Sequence, residues 1–166
     1  MSGIHGRTCV RADVETPAGW NLANCTGLNI ERTALSLNAI QSLAIAINSS
    51  AGLRSLRLRQ TGIGDDGAVV LAGVLRSQGT ALDVIEIWRS EVGPGGCQAL
   101  AEALSVRRIL RQLDLRFNEC GDQGAIALAA ALSDADEPLQ VLRLQNNGIG
   151  PSGGEALANA LSTNQV

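Results

Sequence analysis

The chain has no lysine and no tyrosine, and only one phenylalanine, one histidine and two tryptophans in 166 residues. All 13 basic residues are therefore arginine, which excludes any chemistry needing a lysine base, a Schiff base or a phosphate-loop lysine. The single histidine, His5, stands near the N-terminus, so no Ser/His or Cys/His pair can be assembled in the body of the chain. Charge of one sign is also scarce: the net charge is −3, and no global field favours nucleic acid or an anionic membrane. No apolar run approaches the ~20 residues a membrane helix needs. The opening MSGIHGRTCVRADV has no apolar core of a secretory signal. Cysteine is sparse and scattered, at Cys9, Cys25, Cys97 and Cys120, without CxxC spacing. That pattern points away from metal and disulfide alike and towards free thiols in a reducing compartment. The expectation is a cytoplasmic protein.

What is present is aliphatic and small. Apolar residues make up 45% and charged ones 17%, with 19 glycines, so the chain is ordered and closely packed. From Cys25 onward it divides into segments 25–52, 53–81, 82–109, 110–138 and 139–166, alternately 28 and 29 residues long. Each opens on an alternating LxxLxL stretch, as in Leu53, Leu56 and Leu58, or Leu110, Leu113 and Leu115. Each then changes to apolar residues three and four apart, as in Leu71, Ala72 and Leu75. A period of two followed by a period near 3.6 means a strand and then a helix with one buried stripe.

The remaining columns have physical roles. Position nine reads Thr33, Thr61, Ser90, Asn118, Asn147, small polar side chains able to satisfy backbone groups where a strand ends. Two residues later stands an inward position: Leu35, Ile63, Val92, Cys120, Ile149. Gly64, Gly93, Gly121 and Gly150 share one register, where a positive φ or a close approach is expected. The next residue alternates Asp65, Pro94, Asp122, Pro151, suited to a helix start. Residues 44, 72, 101, 129 and 158 are all alanine, which suits helix-to-helix contact.

The pattern LxxLxLxxNxIxxxGxxxLAxxL resembles the ribonuclease-inhibitor-like leucine-rich repeats, also found in sensor regions of NOD-like receptors, in Ran GTPase-activating protein and in ciliary scaffold proteins. The resemblance covers 25–166. It implies an α/β solenoid, a horseshoe with parallel strands on the concave face and helices on the convex face. Residues 1–24 fit no repeat and are expected to form an N-terminal cap, through Trp20 and Leu22, or a tail. The first segment departs most, with Cys25 at the leading leucine position and Ala39 in a glycine column. The last closes without a recognisable cap, which suggests end-to-end self-association there.

Two stretches imitate nucleotide-binding chemistry. Gly62, Gly64 and Gly67, and again Gly148, Gly150 and Gly153, match GxGxxG between a strand and a helix. Two glycines of each belong to columns of the repeat, and Asp65 and Asp66 would repel a phosphate. No cofactor and no metal are expected. Carboxylate pairs such as Asp65–Asp66 face outward at helix starts, and no enzyme is read in these residues.

Function is expected on the concave face. Its outward columns read Asn29, Arg57, Glu86, Asp114, Arg143, then Glu31, Arg59, Trp88, Arg116, Gln145, then Arg32, Gln60, Arg89, Phe117, Asn146. Trp88 and Phe117 fall in adjacent repeats among arginines. The bland alternative is that they lie over aliphatic stems while the arginines form ladders with Glu86 and Asp114. The sharper one is an aromatic–arginine contact site for a protein partner, built from Trp88, Phe117, Arg57, Arg59, Arg89, Arg116, Arg143, Glu86 and Asp114. Acidic Asp65, Asp66, Glu102, Asp122, Asp134, Asp136, Glu137 and Glu155 fall on helices and loops. The inner face is thus the more basic, and an acidic partner surface is expected. The family resemblance also implies two rivals: a GTPase activator of the Ran type, or a fragment of a NOD-like receptor sensor.

Overall fold

A computed structural model of the chain describes residues 7–11, 15–16, 19–106, 109–133 and 139–163. His5, Asp134, Asp136 and Glu137 lie outside them. Each repeat forms the strand and helix its two periods predict. The strands are β4 (Cys25–Glu31), β5 (Ser55–Arg59), β6 (Val84–Trp88), β7 (Gln112–Asp114) and β8 (Val141–Arg143), each followed by a helix. The helices are α1 (Leu37–Asn48), α2 (Gly64–Arg76), α3 (Pro94–Val106), α4 (Gly121–Ser133) and α5 (Pro151–Thr163). The strands pair in parallel in sequence order, without a crossover. Parallel pairing is forced because each strand returns through a helix that carries the chain back to the same end.

The N-terminal segment joins this array. β1 (Arg7–Val10) pairs in parallel with β4, making a sheet of six strands, and β2 (Glu15–Thr16) with β3 (Gly19–Trp20) forms a small antiparallel hairpin. Leu22 and Cys9 are buried and Trp20 packs half-buried against the core. Among the described residues no helix is long and apolar enough to cross a membrane.

The core is the alternation made solid. Leu56, Leu58, Ile85, Ile87, Leu113 and Leu115 are fully buried, each contributing roughly 1.5–3 kcal/mol of burial. Leu142 and Leu144, at the same positions of the last repeat, are only half-buried. The alanine column behaves likewise: Ala44, Ala72, Ala101 and Ala129 are buried, and Ala158 is exposed.

The polar column is buried too, and hydrogen-bonded. Asn118 Nδ2 donates to the carbonyls of Ile87 (2.6 Å) and Leu115 (2.9 Å), and its Oδ1 accepts from the amides of Ser90 (3.0 Å) and Val92 (3.1 Å). Asn147 repeats the scheme, donating to Leu115 and Leu144 and accepting from the Cys120 amide. In the second repeat the shorter Thr61 is held through Ser90, whose Oγ accepts from its amide at 3.2 Å.

The glycine register splits in two. Gly64 and Gly121 take a left-handed backbone, φ +59° and +57°. Gly93 and Gly150 do not; they are pressed against the carboxylates of Asp65 and Asp122 instead, whose Oδ2 atoms would stand 3.1 Å from an added Cβ. The alternation of Asp and Pro explains the split. Asp65 does not serve its own helix: its Oδ1 accepts from the Gly93 amide (2.6 Å), at the start of α3. Asp122 likewise accepts from Gly150 (2.7 Å) and Gly153 (3.0 Å), at the start of α5. Repeats therefore work as pairs, an aspartate in one closing the proline-led helix of the next. Asp122→Ala should lower stability by about 1–2 kcal/mol, the usual value of a helix cap, read as the shift of the urea midpoint.

The cysteines overturn the free-thiol expectation. Cys9 is bonded to Cys25 and Cys97 to Cys120, with Cα separations of 5.8 and 5.7 Å, and no free cysteine remains. Spacing along the chain hid both pairs, because stacking sets partners side by side that lie 16 and 23 residues apart. Cys120 is indeed a buried core residue, but not a free thiol. The pairing removes the free-thiol argument for a reducing compartment.

Candidate protein-binding face

The outward strand positions stand in rows because the register is unbroken. Asn29, Arg57, Glu86, Asp114 and Arg143 are successive cross-strand partners, as are Glu31, Arg59 and Trp88. Neighbouring strands are about 4.8 Å apart, so charged side chains along a row are bound to meet.

They meet unequally. Glu86, nearly buried, accepts from Arg57 Nε at 3.0 Å and from Arg59 Nη2 at 2.8 Å. Arg59 also reaches Glu31 at 3.3 Å. Asp114, with only 2% of its side chain exposed, is gripped within its own strand end by Arg116, at 2.6 Å. Arg89 and Arg143 have no carboxylate within ion-pair distance among the described residues. The seven charged residues among the nine candidates thus form two groups. Arg57, Arg59, Glu86, Asp114 and Arg116 knit the wall together; Arg89 and Arg143 keep their charge available.

Burial pushes the Glu86 carboxyl up, but the hydrogen bonds from Arg59 and Arg57 outweigh it and hold the carboxyl below the usual glutamate range. A carboxylate with a depressed folded-state pKa adds stability above its unfolded pKa, and that stability is lost as pH falls through the folded value. Glu86→Gln should therefore flatten the acid limb of the stability–pH curve below about pH 4, the ordinary carboxylate range. Urea midpoints between acid and neutral pH would show it.

Trp88 closes β6, half-buried, and Phe117 lies just beyond β7, 44% exposed. Their rings meet edge-to-face, centroids 5.3 Å apart at 73°, a favoured aromatic geometry. Phe117 and Arg89 line an open groove of about 810 Å³ along the strand ends, with Arg32, Gln60 and Asn146. Those five residues share one repeat position and all take a left-handed backbone, φ +50° to +58°. Left-handed non-glycine residues are uncommon. Recurrence in every repeat, whatever the side chain, marks this as the way the chain leaves the sheet. No residue-type signal announced it, since glycine never occupies the position.

In the nucleotide-like stretches, the Gly64 amide donates to the Ser90 carbonyl and the Gly67 amide to that of Ile63. The Gly150 and Gly153 amides already point at Asp122, where an anion would have to displace a carboxylate. Among the described residues no group of three His, Cys, Asp or Glu is placed to hold a metal.

A parallel sheet of stacked strand–helix units, with a polar inner wall and a column of buried Thr, Ser and Asn side chains at the strand ends, defines a leucine-rich-repeat protein. A family model described as leucine-rich repeat matches residues 51–72, 108–129 and 136–158. Human NACHT, LRR and PYD domains-containing protein 13 is 33% identical over 85% of this chain, and pig (Sus scrofa) ribonuclease inhibitor 31% identical over 63%. The chain spans 14% and 23% of those two proteins, so the likeness is one of repeat arrays. The tropomodulin C-terminal domain of Caenorhabditis elegans matches in fold, with a TM-score of 0.63 at 18% identity, covering 84% of this chain and 85% of that one. This chain belongs to the ribonuclease-inhibitor-like leucine-rich-repeat family.

Proposed function

We propose that the chain is a non-catalytic interaction module that holds a partner protein on its concave face, around Trp88 and Phe117. One observation carries this reading: the chain's sole phenylalanine and one of its two tryptophans meet edge-to-face on the inner wall rather than in the core. Burying aromatic surface is favourable, so a large aromatic pair left on a polar wall serves contact better than folding. Interface hot spots are enriched in tryptophan, tyrosine and arginine. The ion pairs of Glu86 and Asp114 tie down the arginines around the aromatic pair, and side chains held before binding lose less entropy on it.

The test is substitution of the anchor. Trp88→Ala should weaken partner binding by roughly 2 kcal/mol or more and leave the unfolding midpoint close to that of the parent chain. A partner is captured from native extract, purified and titrated against both forms. Equal affinity of the two would remove the proposed contact site.

A further inference from the structure

Charge matching within the outward rows is incomplete, and in those rows the remainder is all of one sign. The three carboxylates of the outward rows, Glu31, Glu86 and Asp114, are committed to Arg57, Arg59 and Arg116. Arg32, Arg89 and Arg143 are left without a carboxylate among the described residues, Arg32 meeting only the Gln60 amide oxygen, at 3.4 Å. Arg89 follows Trp88 directly and shares its groove with Phe117. Arg143 stands beside Asp114 across the strand pair, where the carboxylate is already neutralised by Arg116. Uncommitted arginines therefore stand next to Trp88, at the end of β6, and on β8, the strand after the one that leads to Phe117. Glu91 and Glu119 line the groove from the loop side, two residues beyond the strand-end row.

We infer that the partner element is a short acidic segment with one apolar side chain, the apolar group on the Trp88–Phe117 pair and carboxylates on Arg89 and Arg143. This rests on the interaction reading above and narrows it. A guanidinium offers paired donors matched to a carboxylate, and an aliphatic side chain on two aromatic rings buries area without a polar cost. A basic segment meets unpaired arginines and is repelled. The loop-side glutamates set a boundary: the acidic residues must lie on the strand side of the groove.

Calorimetric titration of the full chain with three capped pentapeptides tests it. One carries two acidic residues on each side of a leucine, the second replaces leucine by glycine, and the third replaces the acidic residues by arginine. The leucine peptide should bind at least about tenfold more tightly than the glycine peptide, weaken as salt rises, and bind well above the basic one. Arg89→Gln combined with Arg143→Gln should weaken it about tenfold or more, and Glu91→Gln with Glu119→Gln should tighten it. Both pairs are surface changes, and the opposite signs separate a charge effect from damage to the fold. No binding up to roughly 1 mM, equal binding of acidic and basic peptides, or indifference to the arginine pair would overturn the inference. Should a native partner depend on Trp88 while the peptides show the wrong charge preference, only this narrowing fails. Should no partner depend on Trp88, the interaction reading itself fails.

Discussion

Asn118→Ala should lower the free energy of unfolding by about 4 kcal/mol, far more than one truncated polar side chain ordinarily costs. The reason is the number of buried backbone groups one amide serves. Its oxygen accepts from the Ser90 and Val92 amides and its nitrogen donates to the Ile87 and Leu115 carbonyls, bridging the third repeat to the fourth. Alanine orphans the amides of Ser90 and Val92, both fully buried, and each unsatisfied buried group costs about 1–3 kcal/mol. Asn118→Ser should fall between, because the shorter hydroxyl at Ser90 already serves this position with fewer bonds. Urea unfolding of the three forms decides it. A loss under about 1 kcal/mol for alanine would mean the column is ornamental.

The second large effect is expected from reduction. Opening Cys97–Cys120 should remove about 3 kcal/mol, the loop-closure value for a bridge spanning some two dozen residues. The bond ties the first turn of α3 to the residue before α4, so its loss loosens the middle of the array. Cys9–Cys25 ties β1 to β4, and its opening should free the N-terminal strand first. Thiol titration of the denatured, unreduced chain should find no reactive sulfhydryl, and reduction should move the urea midpoint sharply down. Four reactive thiols before reduction, or an unmoved midpoint, would show that the pairs are not formed.

The amino-acid order told a great deal here because a repeat writes each structural demand several times. Leu56, Ile85 and Leu113 are buried for a reason visible in any one segment, and five segments make the strand and helix assignments secure. The inner-wall rows were legible for the same reason: a period of two leaves no choice about which side chains face outward. What one segment cannot show is what its neighbour does to it. Asp65 and Asp122 read as caps for their own helices, whereas each closes the following one. Arg57 and Arg143 occupy equivalent positions, yet Arg57 is tied to Glu86 and Arg143 is not.

Local order along the chain thus determined the units themselves, their strands, helices, core columns and outward rows, since these follow from backbone periodicity and side-chain size. Stacking decided the rest: the extra strand of residues 7–10, both disulfides, the capping of one repeat by another, and which arginines stay uncommitted. Each of these depends on distances between residues that lie 16 to 29 positions apart in sequence, and only the turn of the solenoid brings such residues within bonding reach.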